Sequence, residues 1–349
     1  MKGRGLQVSE FLYYASFVPG MEGVVEEIVR GRLPEAHIRK LSEGAILFQS
    51  SCTYDRLNFF CFNNIFAVIS LIENPPADTA LEQHMRRVCA GGERNRIIGE
   101  NVQRIRSFRI VTFRENKPVP VPEKLKRDAE AAIARQSALR VSRALPDTEF
   151  WFLYRREGYS LFMKRLTKHP VSEKTRFRGE LSPQLAYMLC RMSEPKHTDT
   201  VADPFCGYGS ILAERMKHFP LQRFYAFDID EAALGRARKK IPPKLKDACT
   251  VQRAEFHTLP GLLPEESLDA IITDPPWGMY AGTEIPLEQF YRDMIAVFTG
   301  LLKKDGLIIL LSAREDILKN AAPDLEIVQT LPVLVSGKKA RVFKFKKIR

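Results

Sequence analysis

Four consecutive residues, Asp274-Pro275-Pro276-Trp277, have the types and the order to hold a flat group that carries an amine. They follow Ile271-Ile272-Thr273, whose β-branched side chains predict the end of a buried strand. Each proline fixes φ and gives up its N–H, so the chain after the acid is stiff and its carbonyls are free to accept. Trp277 adds a ring face, and Gly278 permits a tight exit. A carboxylate, rigid carbonyls and an aromatic ring at the carboxyl end of a strand are the parts of an amine-binding slot.

A second stretch, Asp203-Pro204-Phe205-Cys206-Gly207-Tyr208-Gly209-Ser210, lies between an expected strand over 200–202 and an expected helix over 211–216. Strand, glycine turn and helix N-terminus are where a nucleoside cofactor binds in an open α/β sheet. The stretch is neither G-x-G-x-x-G nor G-x-x-x-x-G-K-[ST], so it is not read as a pyrophosphate cradle or a triphosphate loop. Gly207 and Gly209 allow the backbone to approach a ligand closely. Cys206 sits inside the turn and is read as packing rather than as a nucleophile. The next expected strand, 224–227, ends at Asp228, an acid placed about 20–25 residues on for two ribose hydroxyls. A third, 251–254, ends at Glu255-Phe256, an acid and a ring that suit an adenine amine and face. Taken singly, Asp228 could be a helix cap with Asp230, and Phe256 could be core. In this order, with the Asp-Pro-Pro-Trp strand fourth, the set reads as one nucleoside site beside one amine site.

The elements that must position these groups begin near His169-Pro170, where strands and helices start to alternate as in a doubly wound α/β domain. Ser182-Pro183 fits a helix cap followed by proline at the first helical position. A helix over 290–302, an apolar strand over 306–311 and a closing hairpin over 326–335 and 340–346 complete this part. Ahead of it, 11–17, 21–32, 37–41, 45–49, 53–60 and 64–72 read as β-α-β-β-α-β, a ferredoxin-like order. Asn74-Pro75-Pro76 reads as a linker. A helix over 78–89 with Asp78 as its cap, a strand over 107–113, a helix over 123–139 and a hairpin over 150–155 and 160–166 follow. The expected domains are 1–75, 76–168 and 169–349.

At 349 residues, two or three domains are expected. The net charge of +12 and pI of 9.4 favour a polyanionic partner over an ordinary basic surface only when combined with the rest. Arg94, Arg96, Arg104, Arg106 and Arg109 form a basic run suited to phosphate contact; the alternative is a solvated face. The six cysteines are scattered, without a C-x-x-C, so neither a disulfide framework nor a metal site is expected. No apolar leader or membrane-length stretch is present, and a cytoplasmic setting is expected.

Leu181-Ser-Pro-Gln-Leu-Ala186, Asp203 to Glu214 and Asp274-Pro-Pro-Trp-Gly278 together resemble the THUMP-domain RNA guanine-N2 methyltransferases. The resemblance is close over the C-terminal half. It is looser before that, through a ferredoxin-like subdomain and a THUMP-like segment with Ser107-Phe108-Arg109 and Pro146 to Trp151. It implies a Rossmann-like class I methyltransferase domain, S-adenosyl-L-methionine as cofactor and tRNA as substrate. By position, Ser182, Pro183 and Asp203 to Gly209 (Phe205, Cys206 and Gly207 included) would serve the methionine part, Asp228 the ribose, and Glu255 with Phe256 the adenine. Asp274, Pro275, Pro276 and Trp277 would hold the base. Relatives often carry Tyr or Phe where this chain has Trp277, and Asp where it has Glu255. The same four residues also serve adenine-N6 and glutamine-N5 methylation, and a non-catalytic RNA-binding module on this fold is the alternative from another class.

Overall fold

The computed structural model describes residues 10–57, 59–91, 105–167, 177, 179–278, 286–318, 324–335 and 337–348. The chain forms two compact units: residues 1–16, 28–58 and 62–171, and residues 17–27, 59–61 and 172–349.

The first unit is built on one nine-stranded sheet. It opens with β1 (Phe11–Ser16), the C-terminal part of α1 (Glu22–Arg32), β2 (His37–Ser42), β3 (Ala45–Ser50) and β4 (Asn64–Glu73). These strands lie in the order β2-β3-β1-β4. The helix expected over 53–60 is only a 3-10 turn, Tyr54–Arg56. The residues after it are spent on packing in the second unit, where the Phe60 ring lies 3.7 Å from that of His218. Next come α2 (Ala80–Cys89), β5 (Ser107–Arg114), β6 (Lys117–Pro118), α3 (Glu123–Ser137), β7 (Arg140–Val141), β8 (Thr148–Arg155) and β9 (Tyr159–Arg165). Thr79, not Asp78, takes the cap position of α2, and no side chain bonds there.

β4 pairs antiparallel with β9, Ile72 opposite Ser160, so the sheet continues across the expected boundary at residue 75. Its order is β2-β3-β1-β4-β9-β8-β5-β6, with β7 on β5. The aromatic strand residues Phe108, Phe150, Phe152 and Phe162 pack with Met85 and Val88 of α2 and Ala129 and Ile133 of α3. His84 is fully buried, with Nε2 2.8 Å from Ser70 Oγ and Nδ1 2.9 Å from Ser160 Oγ.

The second unit holds β10 (Thr200–Asp203), β11 (Arg223–Asp228), β12 (Cys249–Arg253), β13 (Leu268–Thr273), β14 (Leu302–Ser312), β15 (Leu325–Val335) and β16 (Lys338–Lys347). Its longer helices are α4 (Pro183–Met192), α5 (Ser210–His218), α6 (Glu231–Lys239) and α7 (Leu287–Leu301). The sheet order is β12-β11-β10-β13-β14-β16-β15; β10 to β14 are parallel, and β16 is antiparallel to both its neighbours. Parallel strands covered on both faces need continuous apolar runs, and Ile308 to Leu311 are fully buried. Tyr291, Met294, Ile295 and Phe298 of α7 recur at helical spacing and join the same core. Successive crossovers run from β10 outward on one side and from β13 outward on the other. The strand ends at β10 and β13 therefore flank a topological switch point, where ligands bind in such sheets.

Candidate active site

Each of three neighbouring strands ends at or just before an acid. Asp203 closes β10 and is 1% exposed. Its Oδ1 accepts from the Phe205 N–H (3.2 Å) and from Thr273 Oγ1 (2.7 Å), the last residue of β13. Burial pushes this carboxyl up to about 8, against those two bonds, and the nearby Asp228 and Asp274 push the same way. Asp228 closes β11 and accepts from Gly207 N (2.7 Å, Oδ2) and Asp230 N (3.0 Å, Oδ1). The acid thus fixes the glycine turn through a backbone donor, while Asp230 caps α6 by accepting from Ala232 and Ala233.

The turn itself needs its glycines for different reasons. Gly207, at φ +47°, has open space where a side chain would stand, which leaves its surface clear for a ligand. Gly209, at φ +75°, starts α5, and a Cβ there would lie 2.8 Å from Ala237 Cβ. Cys206 is 6% exposed and donates its backbone N–H to Phe227 O (2.8 Å). Burial pushes its thiol far above the ordinary range, which removes it as a nucleophile. Ser182 accepts from Leu185 N (3.2 Å) and caps α4, with Pro183 at the first helical position.

Beyond β12 the structure differs from the expected arrangement. Glu255 is exposed and lines a cleft of about 450 Å³ with Ile229, Arg253, Thr258 and Leu262. Phe256 opens the 3-10 turn Phe256–Gly261 and is 4% exposed, its ring packed against Phe290 (5.1 Å) and the half-buried Phe205 (5.8 Å). The large exposed apolar side chains that line the cleft are Ile229, 61% exposed, and Leu262, 44% exposed. Sequence reasoning passed over both. The signal for Ile229 was an apolar residue between two acids, just outside a strand end.

Asp274 follows β13 directly, and Trp277 Nε1 donates to its Oδ1 (2.9 Å). Burial pushes this carboxyl up to about 7, with the indole bond pulling it back. Among the described residues neither Asp203 nor Asp274 has a cationic partner. Tyr291, fully buried on α7, donates to Pro276 O (3.0 Å) and shares a hydrogen bond with Ser312 Oγ (2.7 Å). Pro275 O accepts nothing among the described residues. Gly278, at φ +75°, lies against α7, where a Cβ would meet Leu287 at 2.4 Å. Tyr291 and Ser312 were missed; a tyrosine in the apolar stripe of a buried helix needs a polar partner, and that was the available sign.

The basic run is only partly visible. Arg94, Arg96 and Arg104 lie outside the described residues. Arg106 is exposed, and its backbone N–H donates to Asp147 (2.9 Å). Arg109 is engaged inside the first unit, where Nε donates to Glu149 Oε1 (2.8 Å) and the guanidinium forms an ion pair with that acid. Arg165 and the Trp151 indole bind the other oxygen of Glu149, at 3.1 and 2.8 Å.

Residues 173–341 match the RMKL-like methyltransferase domain family. The chain is 33% identical over 222 residues to a tRNA (guanine(6)-N2)-methyltransferase of Thermus thermophilus, covering 62% of this chain and 65% of that protein. It is 25% identical over 186 residues to the U6 snRNA (guanine-N(2))-methyltransferase THUMPD2 of Bos taurus, covering 53% of this chain and 36% of that one. The matched stretch thus spans less than two thirds of either relative's length. The fold is similar to that of TrmN from Thermus thermophilus, with a TM-score of 0.80 at 24% identity over 97% of this chain and all of the other. The 3-2-1-4-5-7-6 sheet, the acids at its strand ends and the matched residues agree: residues 173–341 are similar to the RMKL-like methyltransferase domain family, and they have the fold that such a domain needs.

Proposed function

We propose that the protein transfers a methyl group from S-adenosyl-L-methionine to the N2 amine of a guanine in tRNA. The observation that carries this reading is the pair of acids at adjacent strand ends, Asp203 buried and Asp274 half-buried, joined through Thr273 and lacking a cation among the described residues. Such a site suits a cationic donor beside an amine acceptor. The residues present also fit a nucleoside. Gly207 leaves open space, Asp228 stands at the second strand end, and Ile229, Glu255 and Leu262 line a cleft beyond it.

S-adenosyl-L-methionine supplies an electrophilic methyl on sulfur. The chain does the rest. The glycine turn and Asp203 receive the amino-acid end, Asp228 the ribose hydroxyls, and Glu255 the adenine amine. An exocyclic guanine amine is a weak nucleophile, because its lone pair is delocalised into the ring. Oδ2 of Asp274 and the free carbonyl of Pro275 accept its two N–H groups and favour a pyramidal nitrogen with an available lone pair. Holding two reactants in line is worth up to ~7–11 kcal/mol. Trp277 stacks on the base once it leaves its helix, worth ~1–3 kcal/mol. Residues 1–75 and 76–168, the ferredoxin-like and THUMP-like parts, dock the RNA by shape and phosphates, Arg94, Arg96, Arg104 and Arg106 among the contacts. A cytoplasmic enzyme working on tRNA fits these parts, and no described helix is long and apolar enough to cross a membrane.

The test is nucleoside mass spectrometry on bulk tRNA incubated with the protein and isotope-labelled cofactor. Labelled N2-methylguanosine is expected. Label only in N6-methyladenosine, or none, would overturn the reading.

A further inference from the structure

We propose that the indole N–H of Trp277 is a positioning group for methyl transfer: by donating to Oδ1 of Asp274 it orients the carboxylate, leaves Oδ2 for the amine and favours the charged form. The inference rests on the reading of Asp274 as the amine acceptor.

The bond is 2.9 Å long and spans three residues, across two prolines that cannot relax. The segment is fixed from both sides. Tyr291 holds the Pro276 carbonyl, Ser312 holds the Tyr291 hydroxyl and accepts from Arg314 N (3.0 Å), and Gly278 is packed against Leu287. The direction of the indole is therefore built into the fold. A phenylalanine at this position would keep a stacking face and lose the donor. A tyrosine would carry its hydroxyl at the far end of the ring, away from where the indole nitrogen stands.

The surroundings make this donor matter. The titratable groups that face Asp274 among the described residues are Asp203 from β10 and Tyr291 from α7, and the charge of Asp274 raises both. None of them donates to its carboxyl among the described residues, so the indole is the group there that stabilises the anion. Loss of that bond leaves the buried carboxyl to the effect of burial, which favours its protonated form. A protonated acid accepts the amine N–H poorly and gives no charge stabilisation to the nitrogen as it becomes cationic.

Single-turnover methyl transfer, measured from about pH 6 to about pH 9, tests this. Three proteins are compared: the unchanged chain, Trp277→Phe, and a variant with 3-benzothienylalanine at 277, which keeps the bicyclic ring and replaces N–H by sulfur. The acid limb of the rate is expected to move to higher pH in both variants, with rates down about tenfold at the acid end and within about twofold at the alkaline end. RNA affinity of the benzothienyl variant should stay unchanged, because its stacking face remains. An equal loss at every pH, or none, overturns the proposal and leaves stacking as the role of Trp277. Asp274→Asn, run alongside, separates the two ideas: full turnover by that variant defeats the acceptor reading, whereas its loss together with flat Trp277 profiles defeats only the positioning role.

Discussion

The protein has two tryptophans, and each gives its indole N–H to a carboxylate: Trp151 to Glu149 in the first unit, at 2.8 Å, and Trp277 to Asp274 in the second, at 2.9 Å. The bonds are alike and the outcomes are opposite. Burial alone would raise Glu149, but Trp151, Arg109 and Arg165 outweigh it and hold the acid below its ordinary range. Asp274 has the indole without the arginines, and burial carries it up to about 7. Burial is common to both acids. What separates them is that Asp274 has no cation beside it among the described residues, which leaves its carboxylate's capacity for a ligand.

The largest effect that would test this contrast is on chemistry. Asp274→Ala should lower methyl transfer by at least ~10²–10³-fold, the range for losing one group that stabilises developing charge. Its urea midpoint should fall little, because the variant removes an acid that has the Trp277 indole but no cation beside it among the described residues; a clear loss of stability would erase the distinction. Glu149→Ala should do the reverse. It removes the acid paired with Arg165, whose side chain is 6% exposed, and should cost the first unit ~3–5 kcal/mol by denaturant unfolding while cofactor binding persists. A change below about 1 kcal/mol would show that the network is ornamental.

The contrast also predicts opposite responses to pH. Asp203 and Asp274 rise from 3.8 to about 8 and about 7 on folding, so the folded second unit keeps protons that the unfolded chain has released. Their contribution is complete below 3.8 and is lost as pH rises through 7 to 8. Burial lowers His84 from 6.5 to about 3, so its contribution is complete above 6.5 and is lost as pH falls toward 3; Glu149, held low, acts in the same sense. Between about pH 4 and about 6.5, rising pH should strengthen the first unit and weaken the second. Peptide-resolved hydrogen exchange, corrected for intrinsic rates, reads the two separately. Parallel slopes would contradict the assignment. The smallest effect is at the support of the site. Tyr291→Phe removes the hydroxyl that bonds Pro276 O and Ser312 Oγ, and should slow methyl transfer about fivefold, with cofactor affinity unchanged.

What was legible in the residues follows from how far apart the interacting groups lie along the chain. Acids at the ends of apolar runs were visible, because a strand and its last residue are contiguous; Asp203, Asp228 and Asp274 needed no partner to be noticed. The Tyr291–Ser312–Pro276 clamp was not, since its members are joined only by the fold. Arg109 looked free for phosphate because Glu149 lies forty residues on and meets it only through the pairing of β5 with β8. That the Phe256 ring packs inward while the Ile229 side chain stays exposed was not legible either, because it depends on how the chain leaves two different strands. The short helix expected over 53–60 stops at the 3-10 turn Tyr54–Arg56, because Phe59 to Cys61 pack elsewhere.

The pairing of β4 with β9 has a consequence for synthesis. Phe66 hydrogen-bonds across to the strand that contains Arg165, so β4 is a bare edge until the ribosome has delivered a hundred or so further residues. At roughly 5–20 residues per second that interval lasts about 5–20 seconds. For that time a nascent ferredoxin-like fragment shows an apolar strand, with Ile65, Phe66 and Ile69 in its sequence, to every other chain on the polysome. Production of this protein should therefore be most vulnerable to aggregation in that window, and a stop codon placed just before β8 should yield a fragment that depends on chaperones although its first four strands are complete.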